Sequence, residues 1–227
     1  MPYEKEVPPP AEVLRAAYDA FDAVVKTITD ERSWLPTGCV GWSVRDLVFH
    51  CVGDAQRGLV ALHMPVRRPP DRDAVTYWED WRPEPVGAAN GRRFNRVVAS
   101  MFLRVGQLCE LYSDTTAAMV HAAAGAAVDQ PVATQGHVLL AGDLIRTLAV
   151  EATLHHLDLV VSLAGAPEPS PEGLGEVRRT LDGLLGRPVP VAWDDAQYAR
   201  AATGRAPLSD ADRARLGADA DRFPLFA

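Results

Sequence analysis

Ionisable side chains interrupt an apolar segment of the sequence, RTLAVEATLHHLDLVVSLAG, at residues 146–165. Glu151, His155 and Asp158 are spaced so that they share one face of a helix, which turns about 100° per residue, whereas His156 is turned away from that face. Because the other faces are also apolar, we predict a buried helix. Buried ionisable groups are costly unless they are paired or bind a metal. Since helical bundles hold metal ions with inward-facing carboxylates and histidines, Glu151 and His155 are candidate ligands.

A third ligand is needed, and His50 is the best candidate among the six histidines. It lies in mid-helix among apolar neighbours in the segment DLVFHCV. Three protein ligands leave coordination positions open for water or substrate, which is typical of a catalytic site. The donor set favours zinc, with iron or nickel as alternatives. Asp54 and Asp158 are the predicted catalytic carboxylates, which would orient the ligand imidazoles and take up a released proton.

The spacing leaves a second interpretation open, because a histidine in a core is often a hydrogen-bonded structural residue. The pattern ExxxH is also far less specific than HExxH. The cysteines do not add ligands in an obvious way: Cys39, Cys51 and Cys109 are widely spaced and form no CxxC pair. They predict neither a disulfide framework nor a structural zinc site, and Cys51 is interpreted as a small core residue.

Four long helices are predicted to position these side chains. Apolar residues recur at helical spacing in residues 11–30, 43–63, 92–123 and 142–164, and the third of these has an apolar stripe that runs from Phe94 to Leu111. Ser43 and Asp46 resemble a capping box at the start of the second helix. The one weak strand candidate is residues 130–140, and three short helical pieces follow at 171–186, 194–203 and 209–218. We predict an all-α fold, with a four-helix bundle over residues 10–165 and a short helical tail over residues 166–227 that packs on the bundle.

A proline-rich segment at residues 64–91 predicts a long loop that contains Tyr77, Trp78 and Trp81. Loops of this length in a compact domain are often functional. Two interpretations stay open at this point. The three aromatic residues either wall a substrate pocket or cover one end of the core.

Composition narrows the function classes. The chain of 227 residues has a net charge of −7 and a pI of about 5.3, which disfavours nucleic-acid binding because that requires a basic face. Charges break every apolar run before it reaches the roughly 20 residues of a membrane span, so no membrane association is expected. The N-terminus lacks the apolar core of a signal peptide, and we expect a cytoplasmic protein, either a monomer or a homodimer.

Two segments resemble motifs of a known superfamily. GWSVRDLVFHCVGD at 41–54 is similar to the W-[ST]-[VP]-x-[DE]-[LV]-xx-H segment of the DinB-like superfamily, and more narrowly to the N-terminal domain of mycothiol-dependent maleylpyruvate isomerases. EATLHHLDLV at 151–160 resembles the E-x-x-x-H-x-x-D-L segment of that family. The resemblance covers about residues 10–165. It implies a four-helix bundle with a divalent metal bound by His50, Glu151 and His155.

The resemblance also implies a reaction class. Family members with known activity use the metal to activate a small thiol, chiefly mycothiol, for isomerisation or S-transfer. A thiol with a pKa of about 8.5 is mostly protonated at neutral pH, and metal coordination deprotonates it. We therefore expect a metal-dependent thiol S-transferase or isomerase with mycothiol as co-substrate and an electrophilic small molecule as substrate. A non-enzymatic metal- or ligand-binding stress protein and a hydrolase that uses metal-bound hydroxide are the alternatives.

The tail departs from the pattern of the isomerases. Those enzymes carry a separate C-terminal α/β domain that supplies a substrate-binding arginine, whereas residues 166–227 resemble a shorter helical tail. Maleylpyruvate itself is therefore not the expected substrate. Arg205, in the segment TGRAPL, is the candidate replacement for that arginine, although TGR also fits a helix C-cap followed by a loop.

Overall fold

The computed structural model describes residues 7–79 and 85–226 and shows a mostly helical protein, which confirms the predicted all-α fold. The helices are α1 Pro10–Val25, α2 Val44–Leu62, α3 Pro85–Met101, α4 Val105–Ala124, α5 Ala141–Leu159, α6 Pro171–Leu185, α7 Asp195–Ala202 and α8 Asp210–Leu216. The strands β1 Pro131–Thr134 and β2 His137–Leu140 form a small antiparallel hairpin between α4 and α5.

Four of the helices form the bundle. Helix α1 packs against α4 and α5, and α2 packs against the same two helices. Leu14, Met119 and Leu148 lie in the core near one end, and Phe21 and Leu108 lie near the other. Nearly every residue of α5 is buried, as expected for a helix that is apolar on all sides. The central position of α5 places its ionisable side chains inside the protein.

Helix α2 begins where the sequence predicts. The backbone N–H and the hydroxyl of Ser43 both donate to Asp46 Oδ2, at 2.8 Å and 2.7 Å. The Asp46 side chain thus accepts from the backbone of the N-cap residue, as in a capping box, and α2 starts at Val44. The start of the helix in turn sets which of its residues face α5, and His50 and Asp54 are among them.

The prediction of one continuous helix over residues 92–123 is wrong. The chain turns at residues 102–104, which separates α3 from α4. Because α3 lies outside the bundle and packs mainly against α2, the first half of the predicted apolar stripe faces solvent: Phe94 is 62%, Val97 52% and Met101 72% exposed. The second half of the stripe, from Val105 onward, lies in the core.

The predicted loop is shorter than residues 64–91, because α3 begins at Pro85. Proline is favoured in the first turn of a helix, where its missing N–H has no helical partner. Tyr77 and Trp78 form a short 3-10 turn and are buried. Trp81 lies outside the described residues.

The three short helical pieces of the tail are confirmed. Helix α6 packs on α5 and α1, and α7 packs on α6. Arg146 of α5 pairs with Glu176 of α6 at 2.6 Å. The division into a bundle and a separate tail unit stays a prediction. In the part of the chain that the structure describes, no helix is both long enough and apolar enough to cross a membrane.

Candidate metal site

Four ionisable side chains from two helices meet inside the bundle. Helix α2 supplies His50 and Asp54, and α5 supplies Glu151 and His155, each pair one helical turn apart. Each side chain offers one potential ligand atom, and these atoms lie within 4.8 Å of one another. The structure thus brings together the three predicted ligands, and it adds Asp54 to them.

The spacing of these atoms suits coordination of one ion. His50 Nε2 lies 3.1 Å from His155 Nε2 and 3.2 Å from Asp54 Oδ2, and His155 Nε2 lies 3.4 Å from Glu151 Oε2. Metal–ligand bonds of about 2.0–2.2 Å place neighbouring ligand atoms roughly 3–3.5 Å apart in a tetrahedral site. Asp54 Oδ2 is buried and has no hydrogen-bond donor among the described residues. The residues present therefore fit a divalent metal.

Asp158 holds His155 in place from the opposite side of the imidazole ring. Its Oδ2 lies 3.2 Å from His155 Nδ1, which leaves Nε2 facing the cluster. Arg205 donates to both carboxylate oxygens, from Nε at 2.9 Å and from Nη2 at 2.8 Å. The Cys39 thiol donates to Oδ2 at 3.2 Å. A carboxylate that orients a histidine in this way is the usual support for a metal ligand.

The pKa directions in the cluster follow from burial and from these contacts. Burial lowers the pKa of His50 to about 4, so its imidazole is neutral and has a lone pair at neutral pH. Burial, together with the charge of Asp54, raises the pKa of Glu151. Burial opposes ionisation of Asp158, but the hydrogen bonds from His155 and Arg205 hold its pKa well below the usual range.

Opposed effects also act on His155 and Asp54. Burial lowers the pKa of His155, but the hydrogen bonds to Asp158 and Cys39 outweigh burial and raise it. Burial raises the pKa of Asp54, but the adjacent His50 imidazole and Arg57 guanidinium outweigh burial and lower it. Arg57 also donates to Asp54 Oδ1 at 3.3 Å. The second oxygen, Oδ2, is then the one that faces His50.

A cleft of about 640 Å³ opens onto three of the four side chains. His50, Glu151 and His155 lie in its wall, and Arg205 lies beside them. Apolar and aromatic walls complete the cleft, and they include Trp42, Trp78, Leu154 and Phe226. A cavity of this size, with an apolar lining and a few polar groups, suits a small molecule.

The predicted aromatic wall is only partly in the cleft. Trp78 lines it and stacks on Phe226, with ring centroids 4.6 Å apart. Tyr77 is buried behind the lining, and its hydroxyl donates to Gln135, which does line the cleft. Trp81 lies in the segment that the structure does not describe.

Sequence reasoning missed three groups that support the site. Gly38 donates its backbone N–H to the carbonyl oxygen of Asp158 at 2.9 Å, and Cys39 contacts the same residue. Trp42 packs its ring 4.8 Å from that of His50. Of the three, only Trp42 could have been found from the sequence, because it is the tryptophan of the GWSVRDLVFHCVGD motif. Gly38 and Cys39 lie in a loop whose contact with α5 spans more than 100 residues of sequence.

The fold and the cluster together define a helical-bundle protein with two histidines and two carboxylates converging in its core. The family model described as the mycothiol maleylpyruvate isomerase N-terminal domain matches residues 14–160. This match covers more than half of the chain and runs from within α1 to the end of α5, so the protein belongs to this family. Neither the curated proteins nor the solved structures give a significant match to the chain.

Proposed function

We propose that this protein is a metal-dependent thiol S-transferase or isomerase that acts on an electrophilic small molecule, with mycothiol as the thiol. The observation that carries the proposal is the spacing of His50 Nε2, Glu151 Oε2 and His155 Nε2, which matches that of ligands on one ion. Zinc is the first candidate, with nickel or iron as alternatives. The family membership supports mycothiol-related chemistry.

In this proposal the ion activates the thiol, and residues of the protein orient the ligands and form the walls of the cleft. When bound, a divalent ion supplies the charge that deprotonates a coordinated thiol. Asp158 and Arg205 keep His155 in one orientation. Trp42, Trp78 and the other apolar walls would pack against the body of the small molecule.

Asp54 has two possible roles that experiment separates. Its Oδ2 lies 3.2 Å from His50 Nε2, a spacing that two ligands of one ion would have. Asp54 is therefore either a fourth ligand or the acceptor of the thiol proton. Asp54→Asn should lower metal affinity by about 10-fold or more if the residue is a ligand. If the variant keeps its metal but turns over slowly and with a changed pH profile, Asp54 is the proton acceptor.

The first prediction concerns metal content. Wild-type protein purified without chelator should carry one divalent ion per chain, and His50→Ala should lose it, because the variant removes the one imidazole that α2 contributes to the cluster. Elemental analysis measures the stoichiometry. His63→Ala is the matched control, since His63 is an exposed residue at the end of the same helix. A wild-type protein that neither carries nor takes up a stoichiometric metal would refute the metal site.

Activity assays separate the reaction classes. With mycothiol and an electrophile panel that includes an epoxide and chlorodinitrobenzene, the loaded protein should consume thiol and form an S-conjugate or an isomer. Products formed in water without thiol would instead indicate a hydrolase. Bound metal with no turnover on any thiol would indicate a binding protein.

A further inference from the structure

A basic groove lies next to the metal cleft. This groove, which we call the arginine groove, has a volume of about 750 Å³ and is lined by Arg92, Arg93 and Arg96 of α3 and by Trp34 and Trp42. The sequence has no acidic residue between positions 85 and 101, although the whole chain has a net charge of −7. The positive charge of α3 is therefore local and is opposite in sign to that of the protein.

Among the residues that the structure describes, no counter-charge is paired with the three arginines. Across residues 7–79 and 85–226, none of Arg92, Arg93 and Arg96 forms an ion pair or a side-chain hydrogen bond. Asp46 also lines the groove, but its Oδ2 accepts the hydrogen bonds of Ser43 at the start of α2. With respect to the described residues, the guanidinium groups are therefore available to bind an external anion.

The arginine groove and the metal cleft adjoin. Cys39, Trp42 and Arg92 line both cavities. Trp42 also packs against the ring of His50, so one side chain contacts the candidate ligand and walls the groove. A molecule of modest length can therefore occupy the groove at one end and reach the metal cleft at the other.

The lining indicates the chemistry of that molecule. Guanidinium groups bind carboxylate and phosphate oxygens through paired, charge-assisted hydrogen bonds. Exposed tryptophan faces favour a planar or apolar body, and Trp34 is 60% exposed. From the geometry we infer that the electrophilic substrate carries a carboxylate or phosphate, which the arginine groove binds while the reactive carbon faces the metal cleft. This inference rests on the proposed function for the identity of the ligand as a substrate.

The test measures binding of unreactive probes, so it does not depend on turnover. 3,5-Dinitrobenzoate and 3,5-dinitrobenzamide have nearly the same shape and differ in charge, and both should quench the fluorescence of tryptophans in the groove. The benzoate should bind about 10-fold or more tightly than the amide at low salt. In the double variant Arg93→Gln/Arg96→Gln this difference should shrink to about 2-fold or less.

Controls separate the groove from general charge effects. Arg213→Gln removes one exposed arginine from α8 and should leave the preference for the benzoate unchanged. Benzoate and phenyl phosphate, each used to displace dinitrobenzoate, will rank the two anions. Equal binding of benzoate and amide, an unchanged preference in the double variant, or no displacement by either anion would overturn the inference.

The metal content of the same double variant distinguishes the two proposals. Arg93 and Arg96 do not line the metal cleft, so metal loading should match that of the wild type. If wild type and variant both lack metal, while the preference for the benzoate depends on the arginines, the proposed function fails and the anion site stands. If metal and thiol turnover are present without any preference for the anion, the anion site fails alone.

Discussion

Asp158 joins three separate parts of the chain at the scale of single residues. Its carboxylate contacts His155 of the same helix, Cys39 of the loop before α2, and Arg205 of the tail. Its backbone carbonyl accepts from Gly38. A change at any of these contacts reaches His155 through Asp158, so residues outside the ligand set should affect metal binding.

Gly38 gives a direct test of this connection. A Cβ at this position would lie 2.5 Å from Asp158 Oδ1 and 3.1 Å from Asp158 Cα, and the latter cannot move without moving α5. Gly38→Ala should therefore lower the free energy of unfolding by about 1–3 kcal/mol. It should also weaken metal binding by about 10-fold or more. Urea denaturation and a metal-competition titration measure the two effects.

Gly106→Ala is the matched control for this substitution. Gly106 lies in the first turn of α4, and a Cβ there would meet nothing within 4 Å. The change should be neutral or slightly stabilising, because alanine is the better helix former. If Gly38→Ala behaves like Gly106→Ala, the close approach of the loop to Asp158 has no energetic role.

The cysteines should differ in reactivity with pH. Burial raises the pKa of Cys51 well above its ordinary value and raises that of Cys109 from 9.0 to about 11. Since the thiolate is the reactive form, iodoacetamide at pH 8 should modify the half-buried Cys39 first and the other two only after unfolding. Peptide mass spectrometry identifies the modified residue, and Cys39→Ser should abolish the fast phase.

The same pKa shifts have a consequence for stability. A thiol whose pKa is raised by folding stays protonated in the folded state at pH values where it ionises in the unfolded state. Between the two pKa values, a rise in pH therefore favours the unfolded state. The free energy of unfolding should therefore fall as the pH rises from about 9 to about 11. Rapid labelling of Cys51 or Cys109 in the native protein at pH 8 would contradict both expectations.

Much of the site was predictable because its ligands follow local rules. Glu151 and His155 share a face through helical spacing, and His50 lies in an apolar helical segment. Arg205 was ambiguous, since its neighbours do form a C-cap at Thr203 and Gly204, yet its guanidinium reaches Asp158. No local pattern distinguishes these outcomes, because the partner lies 47 residues away.

At the scale of elements, the break between α3 and α4 depends on contacts from other segments. Arg45 Nη2 donates to the carbonyl oxygen of Phe102 at 2.8 Å, and Asp30 Oδ1 accepts from the N–H of Val105 at 2.6 Å. The helical apolar spacing continues through residues 102–105, so the sequence predicts a single helix there. Start signals such as Ser43 and Asp46 are local and were predictable, whereas this break is not.

Asp30 should therefore stabilise the start of α4 as an N-cap does. Asp30→Ala removes the acceptor for the N–H of Val105 and a negative charge near the helix N-terminus, and it should cost about 1 kcal/mol. Urea denaturation checks this value. Asp114→Ala, at an exposed position within α4, is the control and should cost little. Equal stability of Asp30→Ala and wild type would show that the break is set elsewhere.

At the scale of the whole molecule, the tail and the bundle share a core. Val150 and Leu154 of α5 lie in one apolar cluster with Val177 and Leu181 of α6 and Tyr198 of α7. The ion pair between Arg205 and Asp158 connects the tail to the metal site as well. We therefore expect residues 166–227 to unfold together with the bundle, even though they lie outside the family match.

Leu181→Ala tests this cooperativity. Leu181 is fully buried, so its truncation should cost about 2–5 kcal/mol. Tryptophan fluorescence and far-UV circular dichroism should show one transition, shifted as a whole to lower urea. Val161→Ala, at an exposed position, should leave the midpoint unchanged. A separate early transition that leaves the rest of the protein unaffected would show instead that the tail folds independently.

The position of Phe226 matters for how the protein is handled. Its ring stacks on Trp78 and forms part of the cleft wall, and the N–H of Leu225 donates to the carbonyl oxygen of Ala202 at 2.8 Å. A purification tag or fusion partner joined at this end would be attached next to a residue of the cleft wall, and we expect it to disturb the packing of Phe226 on Trp78. Assays and crystallisation trials are better served by a tag placed ahead of α1.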